Sequence, residues 1–276
     1  MGPPSMAQYI FEGTMSQKKL LIITITSIFI LSSCSSSKLV APESEGEKLS
    51  ILYADALKKT KKKDYVDAAL IFEDIERQYP YSSWAGQAQL MASFCYLRSN
   101  MHDESLNVID RYLALNPGSK DIDYAYYMKG MNYYNQISDV QRDQSISYVA
   151  LEAFNEVINR FSNSEYAEVS KEKIKIIRDR LAGKELNIAS QYQKDDQWVA
   201  AINRYNNIIN NFEKTRYAPE ALHRLVEIYL TIGMTQQAEK YAATLGYNYP
   251  DSYWYKASYE LINKELKISL KITMMS

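Results

Sequence analysis

The chain has 276 residues, with 32 basic against 33 acidic side chains and a formal net charge of −1, which gives a nucleic-acid partner no electrostatic footing. Nine glycines and seven prolines, beside 24 tyrosines, leave few helix breakers and point to an all-α chain. Some 240 residues beyond the first apolar stretch suffice for a substantial core in one compact domain or an array.

In chain order, residues 1–14 place apolar and acidic residues ahead of a basic start. Met15-Ser16-Gln17-Lys18-Lys19 makes a normal signal-peptide beginning. Either Met15 is the initiator or the preceding residues are an addition from cloning or gene prediction. Leu20 to Leu31 is a 12-residue apolar run, about 18 Å as a helix and too short for a hydrocarbon core of roughly 30 Å. The quartet Leu31-Ser32-Ser33-Cys34 resembles the bacterial lipobox, which implies cleavage before Cys34 and a covalent lipid on it. An ordinary signal peptide that happens to hold a cysteine is the alternative. Residues 1–33 are thus read as signal and 34–46 as lipidated cysteine plus a polar tether containing Pro42. With Cys34 lipidated, Cys95 is alone and cannot form an intrachain disulfide. Its apolar surroundings, Leu90 to Leu97, suit buried packing.

From Leu49 onward a repeat dominates. A small residue is followed four later by a bulkier one and twelve later by proline or a substitute: Ala68/Phe72/Pro80, Ser105/Ile109/Pro117, Ala150/Phe154/Ser162, Ala201/Tyr205/Glu213 and Ala238/Ala242/Pro250. The offsets of 37, 45, 51 and 37 residues lie near the tetratricopeptide (TPR) period of about 34. Two residues past each set stands Ser82, Ser119, Ser164, Thr215 or Ser252, suited to cap the next helix. Trp84, Tyr166, Tyr217 and Trp254 follow two later in four of the sets. These recurrences in phase predict a TPR-like α-solenoid of about five helical hairpins. Gln136 to Ser145 lengthens the third hairpin's connection. Ala167 to Gln193 reads as one long helix with Ile174, Ile177, Leu181, Leu186 and Ile188 on its apolar face and Gly183 as a mild interruption. The sequence reading therefore divides the folded part into 47–166 (repeats one to three) and 167–268 (repeats four, five and a capping helix), with a tail at 269–276.

Catalytic and cofactor signatures are missing. The two histidines, His102 and His223, have no second ligand at metal-binding spacing. Gly118, Gly130 and Gly183 are isolated, and no nucleophile elbow occurs. Pairs such as Glu73-Asp74 and Asp195-Asp196 suit solvated faces. No cofactor, no metal and no enzyme activity are expected. The run Lys58-Lys59-Thr60-Lys61-Lys62-Lys63 suits a helix C-terminus, with lipid headgroups as the alternative partner. Tyr65, Tyr96, Tyr205 and Tyr229 sit where TPR units want packing aromatics. Tyr124, Tyr126, Tyr127, Tyr133 and Tyr134 exceed that need; core packing or an aromatic strip for an extended peptide would explain them.

Several stretches in order resemble the BamD family of outer-membrane lipoproteins over about residues 20 to 262: Gln78-Tyr79-Pro80-Tyr81, Ile109 to Pro117, Asp121 to Gly130, Arg178 to Ala182 and Trp198 to Tyr205. Ser162 and Glu213 depart from the usual prolines, and the short third-repeat insertion puts any contact through that loop in doubt. The resemblance implies a non-catalytic adaptor of the β-barrel assembly machine, lipid-anchored through Cys34 at the periplasmic face of the outer membrane, a site that Ser35 after the cysteine also suits. It implies docking of the C-terminal repeats on the POTRA domains of BamA, with Trp198, Arg204, His223 and Arg224 as contact candidates. Other Bam lipoproteins are further partners. It also implies that the N-terminal repeats receive unfolded β-barrel outer-membrane proteins, with Tyr53, Trp84, Tyr124 and Tyr127 as groove candidates. Other TPR scaffold lipoproteins, for pilus assembly or cell division, and the much longer SusD-like glycan-binding lipoproteins are the alternatives.

Overall fold

The computed structural model of the chain describes residues 45–137 and 144–275. The signal segment, Cys34, the tether up to residue 44 and residues 138–143 of the inserted connection lie outside the described residues. Eleven α-helices follow one another among the described residues: α1 (Glu45–Lys62), α2 (Tyr65–Gln78), α3 (Ala85–Arg98), α4 (His102–Leu115), α5 (Ile122–Asn135), α6 (Ser145–Arg160), α7 (Glu165–Lys194), α8 (Trp198–Asn211), α9 (Ala218–Thr231), α10 (Thr235–Asn248) and α11 (Tyr253–Met275). They pair as five hairpins with α11 last, as the repeat predicts. The proposed tail at 269–276 is helical as far as Met275, an extension of α11 rather than a separate element.

The repeat works through close approach. Ala68, Ser105, Ala150, Ala201 and Ala238 are all fully buried, and so are Phe72, Ile109, Phe154 and Tyr205 four residues on. A side chain no larger than a methyl or hydroxymethyl lets the partner helix come close, and the bulkier residue one turn later fills the space beside it. Ser105 adds a bond: its hydroxyl donates to the Ser93 carbonyl at 2.8 Å.

Each second helix of a hairpin ends alike. Tyr79, Asn116, Phe161, Phe212 and Tyr249 have φ between −127° and −139° and ψ between 31° and 57°, and each N–H bonds the carbonyl four residues back. The proline that follows three of them disfavours continued α conformation. Phe161 and Phe212 leave the helix identically before Ser162 and Glu213, so losing the proline does not alter the exit.

The expected serine caps form only in part. Ser164 caps α7 by accepting from Tyr166 N–H, and Ser252 accepts from Tyr255 N–H. Ser119 accepts from Asp121 N–H, ahead of the helix. Thr215 instead donates back to the Phe212 carbonyl, and the Ser82 hydroxyl is buried without a partner. What recurs is a backbone turn: the N–H of Ser82, Ser164, Thr215 and Ser252 bonds the carbonyl three residues earlier.

The aromatic two positions later is a strap between first helices of successive hairpins. Trp84 packs on Tyr53 of α1 at 4.8 Å, Tyr166 on Tyr124 and Tyr127 of α5 at 5.2 and 5.3 Å, and Trp254 on His223 of α9 at 5.1 Å. Tyr217 lies over Gly183, where an added Cβ would stand 3.0 Å from the ring. Gly183 therefore serves close packing, and α7 runs through it unbroken.

The chain divides into two compact units between Gly118 and Ser119. This differs from the division at 166/167 drawn from the sequence. The reason is that α5 and α6 bury against α7: Phe154 of α6 lies in one core with Ile177 and Leu181 of α7, and the Tyr166 strap reaches back to α5. The boundary coincides with the set that has Asp121 where the others have an aromatic. In the first unit α3 lies between α2 and α4 and is buried on most sides, including Leu90, Met91, Ala92 and Cys95. In the second, the 30-residue α7 packs with α5, α6, α8 and α9.

Candidate functional site

The contact and groove residues selected from the sequence fall in both units, Tyr53 and Trp84 in the first and the others in the second. In the second unit α8 projects Arg204 toward α7, where its Nη1 donates to both oxygens of Glu185 at 3.1 and 3.2 Å. The Glu185 side chain is only 8% exposed and the Arg204 side chain 43%. A nearly buried carboxylate thus fixes one nitrogen of a half-exposed guanidinium. Trp198, at the start of α8, is half-buried against the core around Tyr205 and Ile208; packing accounts for its position.

His223 lies inside, which changes its standing as a contact candidate. Its Nδ1 is 2.8 Å from Ser258 Oγ, its Nε2 is 3.4 Å from Glu227, and its ring faces Trp254. It joins α9 to α11. The neighbouring Arg224 remains partly exposed, donates to Glu227 at 2.9 Å and Glu220 at 3.3 Å, and covers the Trp254 ring at 5.3 Å. Burial alone would raise the Glu227 pKa, but hydrogen bonds from His223 and Arg224 outweigh it and bring the carboxyl down to about 2. A folded pKa below the unfolded value contributes stability that is present above the unfolded carboxyl range, near 4.5, and lost as pH falls toward 2. The shift corresponds to about 3 kcal/mol, less what solvent screening removes from a side chain that is 30% exposed. Thermal melts of the wild type and Glu227→Gln should therefore differ most at neutral pH and converge as pH falls from about 4.5 toward 2; a constant gap across that range contradicts the assignment.

In the first unit, Tyr53 is 3% exposed and sits between Phe72 and Trp84. In the second, Tyr124 is likewise 3% exposed under Tyr166. Both are interior rings. Trp84 and Tyr127 are half-buried. Tyr126 is engaged by Arg160, whose guanidinium lies 4.4 Å from its centroid, and Tyr134 lies beneath Lys173 at 4.5 Å. The surplus tyrosines are mostly packed or covered by cations.

Sequence reasoning missed a cleft of about 760 Å³ in the first unit, where the ends of α2 and α4 meet the start of α3. Arg111 grips Glu76 with two 2.8 Å bonds and reaches Glu73 at 3.4 Å. Tyr96 donates to Glu73 at 2.6 Å, and Gln89 donates to Glu76 at 2.7 Å. Burial, and then the Glu73 carboxylate, push the Tyr96 pKa well up, so this hydroxyl stays a donor. At the rim Tyr81 is fully exposed and Leu115 is 67% exposed. Arg111 and Glu76 are 35 positions apart, so only the repeat offset of 37 hinted that their helices adjoin.

Burial raises the Cys95 thiol to about 11, against a small opposing effect of the Thr60 hydroxyl, which keeps it protonated and inert. No helix among the described residues is long and apolar enough to cross a membrane.

Residues 46–245 match the family described as YfiO, outer membrane lipoprotein. The outer membrane protein assembly factor BamD of Rickettsia prowazekii is 38% identical over 252 residues, covering 90% of this chain and 98% of that one. The BamD of Caulobacter vibrioides is 39% identical over 219 residues, 79% of this chain and 72% of that one. Among solved structures, a thermophilic TPR protein of Thermus thermophilus aligns with 14% identity and a TM-score of 0.37, over 78% of this chain and 98% of that one. The profile match over most of the folded part, with two relatives close to 40% identical, establishes that the chain belongs to the BamD (YfiO) family of outer-membrane lipoproteins.

Proposed function

We propose that the chain is a non-catalytic adaptor of the β-barrel assembly machine, helping outer-membrane β-barrel proteins to be recognised and inserted. In this reading its second unit docks on a POTRA domain of BamA through a surface centred on Arg204 and Arg224, with His223 and Trp198 shaping that surface from beneath. Unfolded barrel protein is received on the first unit, with Trp84, backed by Tyr53, and the exposed Tyr81 as aromatic contacts for an extended segment; in the second unit Tyr127, with Tyr124 buried nearby, is a separate aromatic contact. Other Bam lipoproteins complete the set of partners, and the lipid on Cys34 keeps the chain at the membrane. The match of residues 46–245 to an outer-membrane lipoprotein family carries the reading. Arg204 supports the docking part: with Nη1 held by Glu185, the guanidinium is pre-oriented, and its other nitrogens can take a partner carboxylate at little entropic cost.

Affinity purification of the lipidated chain from native outer membranes should bring BamA with it; its absence would sink the reading. The docking surface is tested with the paired swap Glu185→Arg and Arg204→Glu, which keeps an internal ion pair while reversing the outward charge. That variant should melt near the wild type yet lose BamA, whereas undiminished co-purification removes Arg204 from the interface.

A further inference from the structure

The α1–α2 turn carries a surface that docking on other proteins leaves unexplained. Lys58, Lys59, Lys61, Lys62 and Lys63 occupy five of six consecutive positions, and all but Lys59 are exposed. Lys63 turns the chain with φ 68°, and α2 then presents Val66 and Leu70, 42% and 53% exposed. Lys59 Nζ lies 3.0 Å from Oδ2 of Asp67, which stands between those two apolar residues in sequence. The lysine end of α1 and the apolar flank of α2 are therefore one surface. Favourable interaction with the α1 dipole accounts for cations in its last turn, but it gives no reason for two apolar side chains to stand exposed beside them. Asp55, Asp64 and Asp67 are the carboxylates that act on Lys59; residues 58–67 themselves carry five lysines against two aspartates, which leaves the turn positive.

We propose that this turn is a membrane-contact site, taking anionic phospholipid headgroups on Lys58, Lys62 and Lys63 while Val66 and Leu70 enter the boundary between headgroups and acyl chains. Cationic side chains beside apolar ones are the composition that binds at such an interface. Reach points to lipid rather than to an acidic protein. Glu45 lies eleven positions after Cys34, at most about 40 Å when extended, whereas the 18 residues of α1 span only about 27 Å. The far end of α1 can thus return to the bilayer that holds the lipid. The inference rests on Cys34 carrying that lipid.

The test uses the lipidated chain reconstituted in vesicles, with Val66→Cys bearing a polarity-sensitive fluorophore. Cys34 is blocked by its lipid, and Cys95 is buried. The emission should move to shorter wavelength in phosphatidylcholine–phosphatidylglycerol vesicles but not in phosphatidylcholine alone. It should return in ~1 M salt, where the screening length falls to about 3 Å. Lys58→Gln, Lys62→Gln and Lys63→Gln together should lower the bound-to-free ratio of the turn about 100-fold, at roughly fivefold per lysine. Equal emission in both vesicle types, or a triple variant that behaves as wild type, overturns the proposal. So does an equal shift produced by soluble polyglutamate on phosphatidylcholine vesicles, which would assign the surface to an acidic polypeptide. A chain that stays with neither vesicle type refutes the lipid anchor itself, a separate result.

Discussion

Replacing Gly130 by valine should destabilise the second unit by about 3 kcal/mol, and alanine there by about 1–2 kcal/mol, although both lack glycine's helix penalty. An added Cβ at Gly130 of α5 would stand 2.7 Å from two ring carbons of Phe154 in α6. That ring is fully buried and flanked by Tyr127 at 6.0 Å and Tyr134 at 6.3 Å, so it has little room to yield. Alanine recovers about 1 kcal/mol of helix propensity, which is less than the overpacking cost of about 1–3 kcal/mol with a contact this short. Phe154→Ala alone should cost about 3–5 kcal/mol through the cavity it leaves. Combined with Gly130→Ala, the milder Phe154→Leu should cost less than the sum of the single changes, since the smaller side chain makes room for the new methyl. Urea melts of the four proteins measure this coupling. A Gly130→Ala variant as stable as the wild type would show that α5 and α6 can separate freely.

Arg204→Leu should cost about 2–3 kcal/mol, more than Glu185→Leu combined with Arg204→Leu. Removing the arginine strands a carboxylate that is 8% exposed, whereas removing both groups leaves an apolar pair in a largely apolar setting. Breaking a fully buried pair from one side costs about 3–5 kcal/mol; Arg204 is 43% exposed, and water supplied from that side lowers the figure. Chemical denaturation of the two singles and the double gives the comparison. A double variant less stable than Arg204→Leu contradicts this account. The result also bears on partner binding, because a loss of docking in any single Arg204 variant mixes folding with contact.

The sequence displayed what depends on local spacing. Ala68/Phe72 and its counterparts fall one helical turn apart, so a periodic eye finds them, and all prove buried except for slight exposure at Ala242. The straps at Trp84, Tyr166, Tyr217 and Trp254 were visible as a recurrence, but their targets were not, because these lie a repeat or so back in the chain. For the same reason Tyr53 and Tyr124 resembled groove residues although they are the buried halves of strap contacts. Serine caps failed at Ser82 and Thr215 because a backbone turn, satisfied by any residue, is what the repeat preserves there. The Arg111–Glu76 and His223–Ser258 bonds each span 35 positions. Nothing in residue spacing says which polar side chains of neighbouring hairpins point at each other. The length of α7 suggests a junction in the sequence, whereas its packing makes it the centre of the second unit.

That length has a mechanical consequence. Thirty helical residues form a beam about 45 Å long, gripped along its flanks by α5, α6, α8 and α9. Near its start Ser164 is tied to Asp123 by a 2.5 Å bond, and close to its far end Gln193 accepts from the Tyr205 hydroxyl at 2.8 Å. A force applied at the Lys194 end is therefore carried as rigid tilt to the Asp123 joint instead of being absorbed in successive loops. Within the second unit, a pull on α8 is transmitted along α7 to α5.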